Sequence, residues 1–225
     1  MAETIAAIFA HPDDEVLGCG ATLAKHAAAG ASVRILLLAT GLAARGVADG
    51  AAIEALRDQA RQSAEVLGAQ DIVFGTFPDN AMDSVALLSI VQFIEAFLEQ
   101  APLSLIYTHH GGDLNIDHRI VQQAVVTACR PLPDVPAHEI RGCEVNSATE
   151  WATAPLTPFA PTIFEPVAAQ LERKVAALAC YGSEIRDWPH PRSEEGVRAL
   201  ARWRGSQCGH EAAEAFTLLR RVVAP

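Results

Sequence analysis

An α/β fold on a mostly parallel sheet is what this sequence predicts, on three observations. Strand-like and helix-like segments alternate through the first 130 residues. The longest strand-like run, 33–38, is apolar at every position but Arg34, as in strands covered on both faces. Two polar clusters begin where strands end, the edge at which parallel sheets place their sites.

Ile5 to Phe9 is a short β-branched apolar run. Val16 to Ala29 has helical spacing and stops at Gly30. Val33 to Leu38, apolar except for Arg34, is read as a buried strand. Ala51 to Leu67 is a helix stopped by Gly68, and Asp71 to Phe74 a short strand. Ser84 to Glu99 is an amphipathic helix with Ser84 as its N-cap. Leu103 to Tyr107 is a fourth strand, and Asp117 to Cys129 a helix ended by Pro131. This order implies right-handed βαβ units. The second half is less regular. It is proline-rich from 131 to 166, with a strand near Ile140 to Val145 and helices over Pro166 to Ala179 and Ser193 to Arg204.

The chain has 225 residues, half of them hydrophobic, enough for one core, so a single domain over 1–225 is expected. Within it, 1–130 carries the site and the Pro-rich and helical stretch 131–225 shapes the substrate pocket. A net charge of -10 argues against a nucleic-acid footprint, which needs clustered Lys and Arg. No apolar run reaches the roughly 18 residues of a membrane span. Met1 to Thr4 lacks the positive flank of a signal peptide, so a cytoplasmic location is expected. Five scattered cysteines form no C-x-x-C pair and are read as buried thiols.

The chemistry concentrates in two places. His11-Pro12-Asp13-Asp14-Glu15 sets three consecutive carboxylates beside a histidine at a strand end. Like charges this close are costly unless a cation neutralises them, and a divalent metal is the simplest such cation. In a tight turn adjacent Asp side chains diverge, so one binds metal while the other stays free to take a proton. The alternative is a solvated helix start, where acids suit the dipole. Asp117-His118 opens a helix beyond the fourth strand, as a ligand with its orienting partner or as an ordinary N-cap with an exposed His. Two histidines and a carboxylate leave a tetrahedral position open, the arrangement of hydrolytic zinc.

Ala10-His11-Pro12-Asp13-Asp14-Glu15 resembles the A-H-P-D-D-E signature of the PIG-L/LmbE family of N-acetylglucosaminyl deacetylase-like enzymes. The resemblance runs through Val16 to Gly20, the Arg57 to Gly68 helix, Phe77-Pro78-Asp79-Asn80 and Asp117-His118-Arg119. Tyr181-Gly182-Ser183-Glu184 and Pro189-His190-Pro191-Arg192-Ser193 look like a bacterial branch of it. The resemblance implies an LmbE-like, Rossmann-like three-layer sandwich. It implies a Zn2+ ion, with Fe2+ or another divalent metal as alternative, held by His11, Asp14 and His118. It makes Asp13 the general base and Asp117 a residue that orients its neighbours. The implied activity is removal of an acetyl group from the amide nitrogen of an N-acetylated amino sugar or glycoconjugate, and a homo-oligomer fits the family's habit.

One departure stands out. The family's motif often reads H-P-D-H, and its first His helps stabilise the oxyanion. Here that place holds Asn115, which donates a hydrogen bond but delivers no proton. His110 and His190 are the candidates for an acid, each also explicable as an ordinary strand-end or loop residue. Arg57, Asp79 and Asp83 are substrate-contact candidates, although a helix surface and a Pro-Asp-Asn turn explain them equally well. Trp151, Trp188 and Trp203 are candidates for stacking on a sugar. Gly18 and Gly20 make no dinucleotide fingerprint. Two other readings stand beside the deacetylase: a metal-dependent amidase or esterase on a non-sugar molecule, and a zinc-containing carbohydrate-binding protein without turnover.

Overall fold

The structure is a computed structural model that describes residues 3–41, 50–131 and 139–223. The leading Met1-Ala2 and residues 132–138 of the proline-rich stretch lie outside them. Seven strands form one sheet in the order β3-β2-β1-β4-β5-β7-β6. They are β1 (Thr4–Phe9), β2 (Ser32–Ala39), β3 (Asp71–Phe77), β4 (Leu105–His109), β5 (Glu139–Cys143), β6 (Ile163–Pro166) and β7 (Ala213–Arg221). The first five are mutually parallel, and β7 runs antiparallel to both β5 and β6.

The helices are α1 (Asp14–Ala28), α2 (Gly50–Leu67), α3 (Leu87–Leu98), α4 (Ile116–Ala128), α5 (Leu171–Ala179) and α6 (Glu194–Cys208). Alternation along β1 builds a core on each face. Ile5, Ala7 and Phe9 join Leu17, Leu23, Leu56, Ala60, Leu178 and Val197, from α1, α2, α5 and α6. Ala6, Ile8 and Ala10 join Ile90, Ile94, Val121 and Val125, from α3 and α4. With both faces covered, β1 and β2 are apolar at most positions, Arg34 being the charged exception in β2. The chain leaves β1 over one face and enters β4 from the other. The switch point therefore lies between their carboxyl ends, where such sheets open a crevice.

Three local expectations change. Ser84 caps nothing: it lies in a short 3-10 turn, Met82–Ser84, with its hydroxyl on Ala81 O, and α3 begins only at Leu87. Pro166 ends β6, and the helix expected from there starts at Leu171. The strands β6 and β7 were not foreseen. They close the sheet as an antiparallel edge, so the second half adds strands as well as helices.

Helix α1 breaks at Cys19, whose φ is -150°. Gly18 sits so close to β1 and β5 that a Cβ there would lie 3.1 Å from both Phe9 Cε1 and Cys143 Cβ. The break is closed by a buried ion pair. Glu214 on β7 accepts from Ala21 N and Thr22 N, at 3.1 and 2.6 Å. Lys174 on α5 donates to Leu17 O at 2.8 Å and to Glu214 at 2.6 Å. Both side chains are about 95% buried or more. Lys174→Met should therefore lower unfolding free energy by about 3 kcal/mol, because it strands the carboxylate. An unchanged urea midpoint would mean that the pair contributes nothing.

Candidate active site

The loop after β1 carries His11, Asp13 and Asp14, and the start of α4 carries Asp117 and His118. The topology brings them together. His11 Nδ1 lies 3.1 Å from Asp14 Oδ2. His118 Nε2 lies 3.3 Å from that oxygen and 3.3 Å from His11 Nδ1. A tetrahedral ion with bonds of about 2.0–2.1 Å requires donors about 3.3 Å apart, so three donors with these spacings fit one. The other Asp14 oxygen, Oδ1, is buried without a hydrogen-bond partner.

The outer nitrogen of each imidazole faces a carboxylate. His11 Nε2 is 3.1 Å from Asp117 Oδ2 and 3.2 Å from Asp79 Oδ1. His118 Nδ1 is 3.2 Å from Asp113 Oδ1. Such partners hold the proton on the outer nitrogen and turn the other lone pair inward. His11, Asp79 and Asp117 also form a group close enough to hold an ion. Asp117, however, already accepts Asn80 N at 2.6 Å and Met82 N at 2.9 Å, as well as His11, so it fits the role of orienting partner. Consecutive helix residues point about 100° apart, which is how Asp117 orients His11 across the cleft while its neighbour His118 takes Asp113. Asp117→Asn is expected to weaken metal affinity about 10- to 100-fold, measured by competition with a chelating dye. Unaltered affinity would exclude this orienting role.

The charges match a cation-seeking site. Burial opposes charge on His11, but the hydrogen bonds it donates to Asp117 and Asp14 outweigh it and raise the imidazole to about 10. Burial also opposes the charge on Asp14, yet His118 and His11 hold its carboxyl well below the usual range. His109, buried beneath the centre, is driven well below its ordinary value by desolvation and by His118. Its ring stacks on His118 at 3.9 Å, and its Nε2 accepts from Ala10 N at 2.8 Å. A neutral ring thus backs one face of His118.

Asp13 turns the other way, with a positive φ of 104°. Its Oδ2 accepts from Arg192 Nη1 at 2.8 Å. Burial pushes its carboxyl up to about 7 against the pull of Arg192, with Asp14 and Glu184 adding to the rise. Arg192 is also bound to Ser147 Oγ at 2.6 Å and lies 3.5 Å from Glu184. Around this pair opens a cleft lined by His11, Asp13, Asp79, Asn80, Asn115 and Arg192, among others.

The remaining candidates are placed as follows. Asn115 lines the cleft and caps α4, accepting Asp117 N at 2.9 Å and donating to Asn80 Oδ1 at 3.0 Å. His110 is bonded through Nε2 to Thr157 O at 2.8 Å and sits edge-on to Phe159, outside the cleft lining. His190 accepts Arg192 N at 3.1 Å and meets Trp151 edge-on. Arg57 donates to Gly75 O at 3.2 Å and lies over Phe74, on the outer side of β3. Asp83 is exposed on the 3-10 turn. The residues that sequence reasoning did not single out are Asp113, His109, Glu184 and Arg192. The first two belong to a cluster whose placement after β4 was a usable signal, whereas nothing in one dimension returns residues 184 and 192 to Asp13.

A model of the PIG-L family, described as GlcNAc-PI de-N-acetylase, matches residues 6–129, more than half of the chain. The chain belongs to the PIG-L family. An Escherichia coli K12 protein named as the uncharacterized deacetylase YaiS is 30% identical over 181 residues, covering 77% of this chain and 88% of that one. The N,N'-diacetylchitobiose deacetylase of Pyrococcus horikoshii superposes with a TM-score of 0.77 at 18% identity, over 97% of this chain and 84% of that one. GalB, the 4-carboxy-2-hydroxymuconate hydratase of Pseudomonas putida KT2440, superposes with a TM-score of 0.78 at 20% identity, over 99% and 98%. The fold thus carries more than one reaction, and the PIG-L assignment gains its chemical meaning from the site. Among the described residues, no helix of this PIG-L chain is long and apolar enough to cross a membrane.

Proposed function

We propose that this PIG-L chain hydrolyses the acetamide of an N-acetylated amino sugar, with a divalent ion, zinc in the first instance, held by His11, Asp14 and His118. One observation carries the reading: three inward-facing donors 3.1 to 3.3 Å apart stand beside a buried carboxylate that is not one of them. When bound, zinc supplies Lewis acidity toward a carbonyl and acidifies coordinated water toward a pKa of about 7.

The chain's own residues do the rest. Asp13 takes a proton from the attacking water and returns it to the departing nitrogen, so amide and water become carboxylate and amine. Its pKa, raised to about 7, suits a group that must both accept and release a proton near neutrality. Asn115 is committed as the cap of α4 and delivers no proton. His110 is tied to Thr157 O. His190 accepts Arg192 N and stands outside the cleft lining, so Asp13 serves both transfers. Asp79, Asn80 and Asn115 offer hydrogen-bonding groups on the cleft wall for sugar hydroxyls.

The test is turnover by zinc-loaded protein of N-acetyl amino sugars, N-acetyl amino acids and acetate esters, read as acetate release, and of unsaturated dicarboxylic acids, read as loss of the conjugated double bond's absorbance. The expected result is turnover of the amino sugars in preference to all others. Turnover of esters or hydration of the unsaturated acids, with no amide cleaved, would replace this reading.

A further inference from the structure

We infer that Glu15 and Tyr181 are a positioning pair for Asp13, holding its backbone in the left-handed turn that separates the base from the metal ligands. The inference rests on the reading of Asp13 as base.

Asp13 adopts φ 104° and ψ -28°. An L side chain crowds the neighbouring carbonyl there, so a non-glycine residue stays only where its surroundings enforce it. Such enforced outliers cluster where function needs the geometry. Here the need is visible. Asp14, next in the chain, turns its carboxylate to His11 and His118, whereas Asp13 turns its own to Arg192. A relaxed backbone at Asp13 would carry its carboxylate off that line.

Asp13 O accepts from Val16 N and Leu17 N at 3.1 and 2.9 Å as the start of α1, so the contacts special to this turn are those on its N–H. Asp13 N donates to Glu15 Oε2 at 3.1 Å. Tyr181 OH donates to the other oxygen, Oε1, at 2.5 Å. Both side chains have no exposed surface. Each oxygen of Glu15 thus has one donor, and the loss of either donor leaves a buried acceptor orphaned. Tyr181 is fixed in turn at the end of α5, where its N–H donates to Leu178 O at 2.9 Å. It lies 166 residues from Glu15 and beyond the segment matched by the family model. Glu15 and Tyr181 stand outside both the ligand set and the cleft lining. Their reach to the chemistry runs through the Asp13 peptide.

Three variants and three readouts test this. Tyr181→Phe and Glu15→Ala should each lower kcat about 100-fold, the cost of misplacing a reacting group by about 1 Å. KM and bound zinc per chain should stay at wild-type values. Glu15→Gln should keep most of the turnover, because its amide oxygen still accepts Asp13 N–H and its nitrogen reaches the Tyr181 oxygen. Crystal structures should show Asp13 at positive φ in the wild type and in Glu15→Gln, and at negative φ in the other two. Should Tyr181→Phe fail to fold, the contrast between Glu15→Ala and Glu15→Gln carries the test. Unchanged kcat, a loss of rate that follows loss of zinc, or a positive φ at Asp13 in Glu15→Ala would overturn the pair. A wild type that cleaves no amide would instead sink the reading of Asp13 as base, and the φ comparison alone would then judge the pair.

Discussion

Asp13→Asn is expected to lower kcat on an N-acetylated amino sugar by about 10³-fold or more, close to 4 kcal/mol of barrier. Asparagine has nearly the same shape and can still accept from Arg192 Nη1, now 2.8 Å from the carboxylate. It cannot take a proton. The three metal-facing donors belong to other residues, so zinc content should stay at that of the wild type. KM should change little, because the loss falls on the transition state. The comparison variant is Arg192→Met. Removing that guanidinium takes away a charge that favours ionised Asp13, against the burial that opposes it. The acid limb of the pH–rate profile should then move to higher pH. Steady-state kinetics with metal analysis decides the matter. Asp13→Asn at wild-type turnover would remove Asp13 from the mechanism, and a loss of zinc with it would recast Asp13 as a ligand.

The second large effect concerns the ion. Chelator-treated protein should gain thermal stability when zinc is restored, by about 4 kcal/mol at a thousandfold excess over the dissociation constant. The gain arises because the unfolded chain does not bring His11 and His118, 107 residues apart, to one point. His118→Ala removes one of the three converging donors and should abolish most of that gain, along with activity. Its cost to the metal-free protein should be smaller. Losing the ring leaves a cavity against His109, but it also removes one of the closely packed imidazoles. Thermal unfolding with and without zinc, on both proteins, reads the difference. An equal zinc-dependent shift in His118→Ala would place the ion elsewhere.

Much of the fold was legible because its signals are local. Strand β2 is covered on both faces, so apart from Ser32 and Arg34 its sequence is apolar without alternation. Helices α1, α2 and α4 follow strands at the spacing of βαβ units. Where the signals are not local the reading failed. Ser84 has the chemistry of a cap, but its hydroxyl is spent on Ala81 O, and the helix starts three residues later. Strand β6 is four residues long and β7 pairs only with β5 and β6, so neither pattern exists before the sheet does. The site divides along the same line. His11, Asp13 and Asp14 share one turn and are readable together, and Asp117-His118 announces itself at a helix start. Arg192 and Glu184 reach Asp13 from the far end of the chain, in segments that the sequence marked only as family-like motifs.

By itself, then, the order of residues determined a parallel α/β sheet, the strand ends at which its chemistry gathers, and the residue types offered to a metal. These follow from periodicity and from the identity of side chains next to one another. Only the tertiary structure decided that Asp117 orients His11, which way Asp13 faces, and that the 181–192 segment returns to the first loop. Those are contacts between groups more than a hundred residues apart. Their geometry is settled by the packing of both faces of the sheet, which no short stretch of sequence records.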